Sequence, residues 1–382
     1  MKKWLSILLT LCVLVCFTAC GEATQPEGWY SPEGVTLSKG QVKKIVSADY
    51  TTPKNVILII GDGMGPNDIV LAEEQVEGVY DYGTVLNLIE NHGLATTHSA
   101  SDAITDSAAA ATALSTGTKT NNGIIGKDPD GNDLMTMAER ARAAGKKVGI
   151  VTDDLLSGAT PTAFTVHSAD RDNTAELINA MVKFTPDVMM CQDYTAVFAP
   201  MDTDARKIFN ETYLVAKKFD KFTEVLDKDP NSEKPFFGIL DGYTPAATHQ
   251  LAQAAQVAFK RLQNDNGFFL MIESCGTDKY GQNNNINGKL NSVVTLDRAV
   301  AAALLFMQDN PDTLLIVTSD HDTGGVRIPE AGESLSTALT TKEHTDTPVR
   351  VFAVGAGSEY FKGATVDNTD IAKFIIKAIE GQ

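Results

Sequence analysis

Apolar residues fall along this chain in blocks. Seven short runs are almost wholly apolar: "NVILIIGD" (55–62), "KKVGIVTD" (146–153), "DVMMC" (187–191), "FFGIL" (236–240), "GFFLMIES" (267–274), "TLLIVTSD" (313–320) and "RVFAVG" (350–355). A strand with one face in water alternates apolar and polar residues. Unbroken apolar strands therefore predict burial on both faces, as in a mainly parallel sheet. Between these runs lie "DLMTMAERARAAG", "TAELINAMVKF", "THQLAQAAQVAFKRLQN", "SVVTLDRAVAAALLFMQ" and "DIAKFIIKAIE", with apolar residues three and four apart. That spacing predicts helices, and the alternation predicts an α/β fold: a central, mostly parallel sheet sandwiched between helix layers. No internal repeat and no linker is visible after residue 45, so residues 46–382 read as one domain. Residues 195–235 are more polar and read as a surface insertion.

The first residues break the pattern. "MKK" precedes the apolar "WLSILLTLCVLVCF", and "FTAC" puts Thr18 and Ala19 before Cys20. This is the layout of an export signal (residues 1–19), and the apolar stretch is short for a spanning helix. Small residues directly before a cysteine resemble the bacterial lipoprotein processing signal. The expectation is an exported protein held at the bacterial cell envelope, in the periplasm or on the outer membrane. Its membrane contact would be only the lipid on Cys20. "GEATQPEGWYSPEG" then opens a stretch, residues 20–45, that reads as a flexible tether. Of the later cysteines only Cys191 and Cys275 remain. They could pair or stay as buried thiols, and no zinc-type cysteine spacing exists.

Charge narrows the partners. The net charge is −17, from 49 acidic and 32 basic residues, which argues against a nucleic-acid-binding surface. An anionic ligand would need a local positive site, such as metal ions. Several acids sit where predicted strands end: Asp62, Asp153, Glu273 and Asp320. Ligands of open α/β sheets gather beyond the carboxyl ends of strands. Acids collected there repel one another unless cations lie between them, whereas any one alone reads as a helix cap. In "NVILIIGDGMGPNDI" the glycines at 61, 63 and 65 let backbone or ligand approach Asp62 closely. "TSDHDTGG" pairs Asp320 with His321, a carboxylate beside an imidazole, which suits zinc. "EHTDTPV" brings His344 just before the last strand. "DPDGNDLMTMAE" mimics an EF-hand loop, but its glycine is at the fourth place, so it reads as a turn into a helix.

In "ITDSAAAATALSTGTKTNNG" Ser107 opens a run of alanines. By itself it reads as a helix N-cap. Taken with "ATPTAFTVHSADR", "GFFLMIESCGTDK", "VTSDHDTGG" and "EHTDTPV", in that order, the chain resembles the alkaline phosphatase family from about residue 54 to its end. The resemblance implies hydrolysis of small phosphate monoesters, with Ser107 as a nucleophile that becomes a phosphoserine. Arg171 would grip two phosphate oxygens, and Lys279 would sit near the phosphate. A first Zn2+, facing Ser107, would be bound by Asp62, Asp320 and His321. A second would be bound by Asp278 and His344. Mg2+ would be bound by Asp62, Thr160 and Glu273. The small residues around Ser107 would leave room for phosphate and metals. The family commonly forms homodimers.

Two positions depart from the family pattern. Gln282 stands where the family has a zinc-binding histidine, four residues after Asp278, and a neutral amide oxygen is a weaker zinc ligand than imidazole. Gly158 stands where some members have a side chain supporting the magnesium site. Rival readings are a phosphodiesterase of the same superfamily and, because of Gln282, a weakly active phosphate-binding lipoprotein.

Overall fold

The computed structural model describes residue 25 and residues 27–31, 33–75, 82–244 and 249–381. The export signal and Cys20 lie outside them. In chain order the strands are β1 (Asn55–Gly61), β2 (His92–Thr96), β3 (Lys147–Leu155), β4 (Val188–Gln192), β5 (Leu214–Ala216) and β6 (Phe236–Leu240). There follow β7 (Phe268–Ser274), β8 (Thr313–Thr318), β9 (Asp322–Thr323), β10 (His344–Thr345), β11 (Val349–Val354) and β12 (Thr365–Asp367). Ten of them form one sheet in the order β12-β2-β11-β8-β1-β7-β3-β4-β6-β5, while β9 and β10 pair separately. Among the described residues only β11 runs against its neighbours in the large sheet. The link from β8 to β11 carries no crossover helix. It is occupied by the β9–β10 ladder and loops, so the chain turns back antiparallel.

The seven apolar runs all become strands, and their composition follows from having a core on each side. Along β1, Ile57 and Ile59 enter one cluster while Val56, Leu58 and Ile60 enter the other. Phe268, Leu270 and Ile272 of β7 alternate in the same way with Phe269 and Met271. Successive side chains on a strand point to opposite faces, so a doubly covered strand has no position for a polar residue. Helices Gln250–Leu262 and Ile286–Asp309 contribute to the first core; Met137–Ala143 and Asn368–Glu380 contribute to the second. The α/β sandwich expected from the pattern is therefore present.

Two expectations are corrected. The stretch taken as a tether is folded onto the body in its described part. Val35, Leu37, Val42 and Ile45 are buried, and Lys39–Val46 is a helix capped by Ser38 and Gln41. Gln25 donates to the Leu305 carbonyl (2.8 Å), and the Ser31 amide donates to Gln256 (2.8 Å). Val42 and Ile45 are three apart, so they share one helix face and bury it. Residues 195–235 are not a surface insertion either: β5 extends the sheet by pairing with β6, and Phe209 and Phe222 are wholly buried. The polar residues there cover the outside of an edge layer whose inside is aromatic. Cys191 and Cys275 are separate buried thiols.

One ion pair fixes the loop after β1. Lys289 and Asp68 are both fully buried, with Nζ 2.8 Å from Oδ2. The same ammonium donates to the carbonyls of Gly63 (2.8 Å) and Thr277 (3.2 Å). It thus ties the β1 loop to the segment after β7. Removing one partner of a buried pair leaves an uncompensated charge. Lys289→Met is expected to lower stability by about 3–5 kcal/mol, with Lys289→Met/Asp68→Leu recovering most of it, as read by urea unfolding.

Candidate active site

Strand register brings the strand-end acids together. β8, β1, β7 and β3 are neighbours, with Ile60 level with both Thr318 and Glu273, and Thr152 level with Glu273. Asp62 therefore emerges between Asp320 on one side and Glu273 on the other. The chain must also pass close by. Gly63 has φ +69°, and a Cβ there would lie 2.6 Å from Thr323 Oγ1 and 2.9 Å from the Asp278 Cα. A Cβ on Gly65 would run into the Asp322 carboxylate. These glycines let the β1 loop lie against the short helix that carries Asp278 and the loop that carries His321.

Ser107 is the first residue of helix Ser107–Thr116, and Asp106 is its N-cap, accepting from the Ala109 amide (2.9 Å). Capping falls to Asp106, which leaves the Ser107 hydroxyl available. Its Oγ lies 3.2 Å from His321 Nε2. The other Asp106 oxygen accepts from Arg171 Nη1 (2.9 Å) and from the Gly123 amide (2.9 Å). Arg171 is thus held by Asp106 and not by its sequence neighbours. The alanines do not clear space for a ligand. Ala108 and Ala111 are buried among Ile125, Ala159 and Ala163, so their small size lets this helix pack inside the protein. Room at Ser107 comes from its place at the helix end.

Hydrogen bonds set the histidine tautomers. Thr323 Oγ1 donates to Asp278 Oδ1 (2.7 Å), so in its contact with His321 Nδ1 (3.2 Å) the threonine oxygen accepts and the imidazole N–H donates. The Nε2 lone pair of His321 then faces Ser107 Oγ, Asp320 Oδ2 (3.2 Å) and Asp62 Oδ1 (3.4 Å). His344 Nδ1 donates to the Thr105 carbonyl (3.0 Å), which aims Nε2 at Asp278 Oδ1, 3.3 Å away. The two imidazole rings stack with centroids 3.6 Å apart. Ligand atoms of Asp62, Asp320 and His321 lie within 4.8 Å of one another, as do those of Asp278, His321 and His344. Asp62 Oδ1, Asp320 Oδ2 and Thr160 Oγ1 are buried without a hydrogen-bond partner. Orphaned carboxylate oxygens facing an imidazole lone pair, with an orphaned hydroxyl buried beside the cavity, are a donor set that fits divalent cations.

The electrostatics agree. Burial, then the charges of Asp320, Asp278 and Glu273, push Asp62 well above the usual carboxylate range. Burial, then Asp154, raises Glu273 to about 8. Burial lowers the pKa of His321. For His344 burial acts downward, but its hydrogen bonds to Asp278 and the Thr105 carbonyl outweigh it and raise the pKa. A cation between His344 and Asp278 therefore competes with a proton.

A cavity of about 230 Å³ opens over these groups, with Ser107, Arg171, Lys279, Glu273 and Gln282 in its wall. Asp320 and His321 are fully buried and reach the site from below. Thr160 lies in the short helix Ala159–Thr162, whose first residue and cap Gly158 line the cavity. Gln282 turns its amide nitrogen to Asp278 Oδ1 (3.1 Å). Every residue to which the family resemblance gave a role is thus in or beside one site. Three others were missed: Asp106, Thr323 and Asp154. Asp153, the acid read at the end of β3, points away, accepting from the Cys275 amide (2.7 Å) and Ser274 (3.1 Å), while Asp154 lines the cavity. The alternation of sides along a strand was the available signal.

The chain and its fold have counterparts among known proteins. The alkaline phosphatase family profile matches residues 53–200 and 227–337. Alkaline phosphatase of Escherichia coli strain K12 is 30% identical over 83% of this chain and 84% of its own length. Alkaline phosphatase 4 of Bacillus subtilis strain 168 is 31% identical over 78% of this chain and 68% of its own. The structure of alkaline phosphatase from the Antarctic bacterium TAB5 superposes with TM-score 0.74 at 29% identity, covering 87% of this chain and 99% of that one. Variants of the TAB5 enzyme carry Mg bound in its M3 site. The chain belongs to the alkaline phosphatase family. It is a phosphoric monoester hydrolase.

Zinc titration is expected to release more protons as the pH is lowered, because the cation competes with a proton for His344 Nε2. Calorimetry in buffers of different ionisation enthalpy should show this, with affinity falling as pH is lowered. Proton release that does not grow as the pH falls would contradict the arrangement around His344.

Proposed function

We propose that the chain hydrolyses small phosphate monoesters through a phosphoserine on Ser107, with two zinc ions and one magnesium ion. The observation that carries this reading is the placement of Ser107 Oγ at a helix N-terminus, 3.2 Å from His321 Nε2 and above orphaned carboxylate oxygens. Asp62, Asp320 and His321 would hold the zinc facing Ser107. Asp278, His344 and Gln282 would hold the second, and Asp62, Thr160 and Glu273 the magnesium. Such cations, when bound, supply Lewis acidity and positive charge to the attacking and leaving oxygens.

The chain's own residues do the rest. The Arg171 guanidinium, anchored on Asp106 by one nitrogen, has its remaining N–H groups for two phosphate oxygens. Lys279 adds a second positive charge, and the helix dipole behind Ser107 favours an anion at that end. Ser107 Oγ attacks phosphorus; the Oγ–P bond forms as the P–O bond to the alcohol breaks. Water then takes the place of serine on phosphorus and inorganic phosphate leaves.

Gln282 supports a slow second half. An amide whose nitrogen is committed to Asp278 brings a weak ligand set to the second zinc, so phosphoserine would accumulate. At its extreme this is the weakly active phosphate-binding reading. Export on the "FTAC" signal, a lipid on Cys20, envelope location and a homodimer belong to the same proposal and rest on the sequence and the family.

Ser107→Ala is expected to abolish monoesterase activity by several orders of magnitude. Nitrophenyl phosphate should turn over faster than the corresponding diester, and the reverse order would favour a phosphodiesterase. Gln282→His should raise zinc content and speed loss of phosphate from Ser107, on the order of tenfold. Unchanged zinc content and rate would mean that another group already fills that place.

A further inference from the structure

Asp154 has no part in the mechanism above, yet it is a buried carboxylate inside the cavity. Its Oδ2 is 3.3 Å from Lys279 Nζ, and its Oδ1 accepts from Gln192 Nε2 (3.2 Å). Its amide donates to Thr152 Oγ1 (2.9 Å), and Thr152 donates its own hydroxyl proton to Glu273. The carboxylate is therefore fixed at both oxygens and through its backbone. Gly158 is its neighbour in the cavity wall: a Cβ there would lie 3.5 Å from Asp154 Oδ2, an ordinary contact. Lys279 is more than half buried on its short helix Gly276–Gln282, and the described structure pairs it with no other carboxylate.

We infer that Asp154 is a positioning residue: it holds the Lys279 ammonium over the cavity so that the ammonium meets the phosphoryl group. The lysine stem is long and has several rotatable bonds, so a fixed anion is needed to keep its charge in one place. Strand β3 provides one from a rigid element. Among the described residues the Asp154 carboxylate bonds to Lys279 and Gln192 and not to Ser107, so it acts through Lys279. Burial opposes a charge on Lys279, but the anion beside it more than offsets this and keeps the lysine cationic.

The inference rests on the cavity being a phosphate site, and the test separates the two. Inorganic phosphate binding is measured by calorimetry on the metal-loaded full chain, alongside KM and kcat. Four proteins are compared: parent, Asp154→Asn, Lys279→Met and the double variant. Asp154→Asn is expected to weaken phosphate binding and raise KM roughly tenfold, with a smaller effect on kcat. In the Lys279→Met background the same change should have little further effect, because the group through which it acts is gone. Equal losses in both backgrounds, or no loss in either, would overturn the inference. A parent that binds no phosphate would instead overturn the functional reading on which it rests. Thermal unfolding distinguishes lost positioning from a lost fold, and Asp154→Ser repeats the cycle if the asparagine variant does not fold.

Discussion

Four carboxylates that repel one another set the terms for this structure. Asp62, Glu273, Asp278 and Asp320 are buried at the carboxyl edge of adjacent strands or on the loops just beyond, and strand register leaves them no way to spread apart. Desolvation alone makes a buried carboxylate costly, and a like charge nearby adds to that cost. The surroundings act to contain it. Lys289 secures the loop beside Asp62 and the start of the short helix that carries Asp278, and Arg171 and Lys279 stand at the mouth. What these groups leave uncompensated is what divalent cations would satisfy.

The fold holds that arrangement rigid. Each central strand is gripped by apolar side chains on both faces, so the strand ends cannot drift relative to one another. The alanine-rich helix shows the same economy from the other side. Its residues are small because other helices press against it, and that packing makes the Ser107 end a fixed point.

The main architecture was legible because its cause is local: a strand buried on two faces must be apolar throughout, and "NVILIIG" or "TLLIVT" can be little else. The strands at the two edges, and β2 beside one of them, were not. His92–Thr96 alternates between buried and half-buried positions, and β5 and β12 are three residues long, too short to carry a period. The candidate residues came into view through motifs quoted from several distant places in the chain. The residues that hold them did not, because their roles depend on where a side chain turns. Asp153 and Asp154 are neighbours in sequence and face opposite ways. Asp106 looked like a mere flank to Ser107, and Thr323 gave no hint that its hydroxyl orders His321.

Asp106 is the residue with the widest reach. One of its oxygens closes the first turn of the serine helix and the other grasps Arg171. The helix end that carries the Ser107 hydroxyl and the Arg171 guanidinium are thereby mounted on a common bracket, two bonds wide at its centre. Motion of either element is transmitted to the other, so their spacing behaves as one mechanical dimension. A thermal fluctuation that carried the helix forward would take the guanidinium along with it. The separation most in need of control is governed by a single side chain.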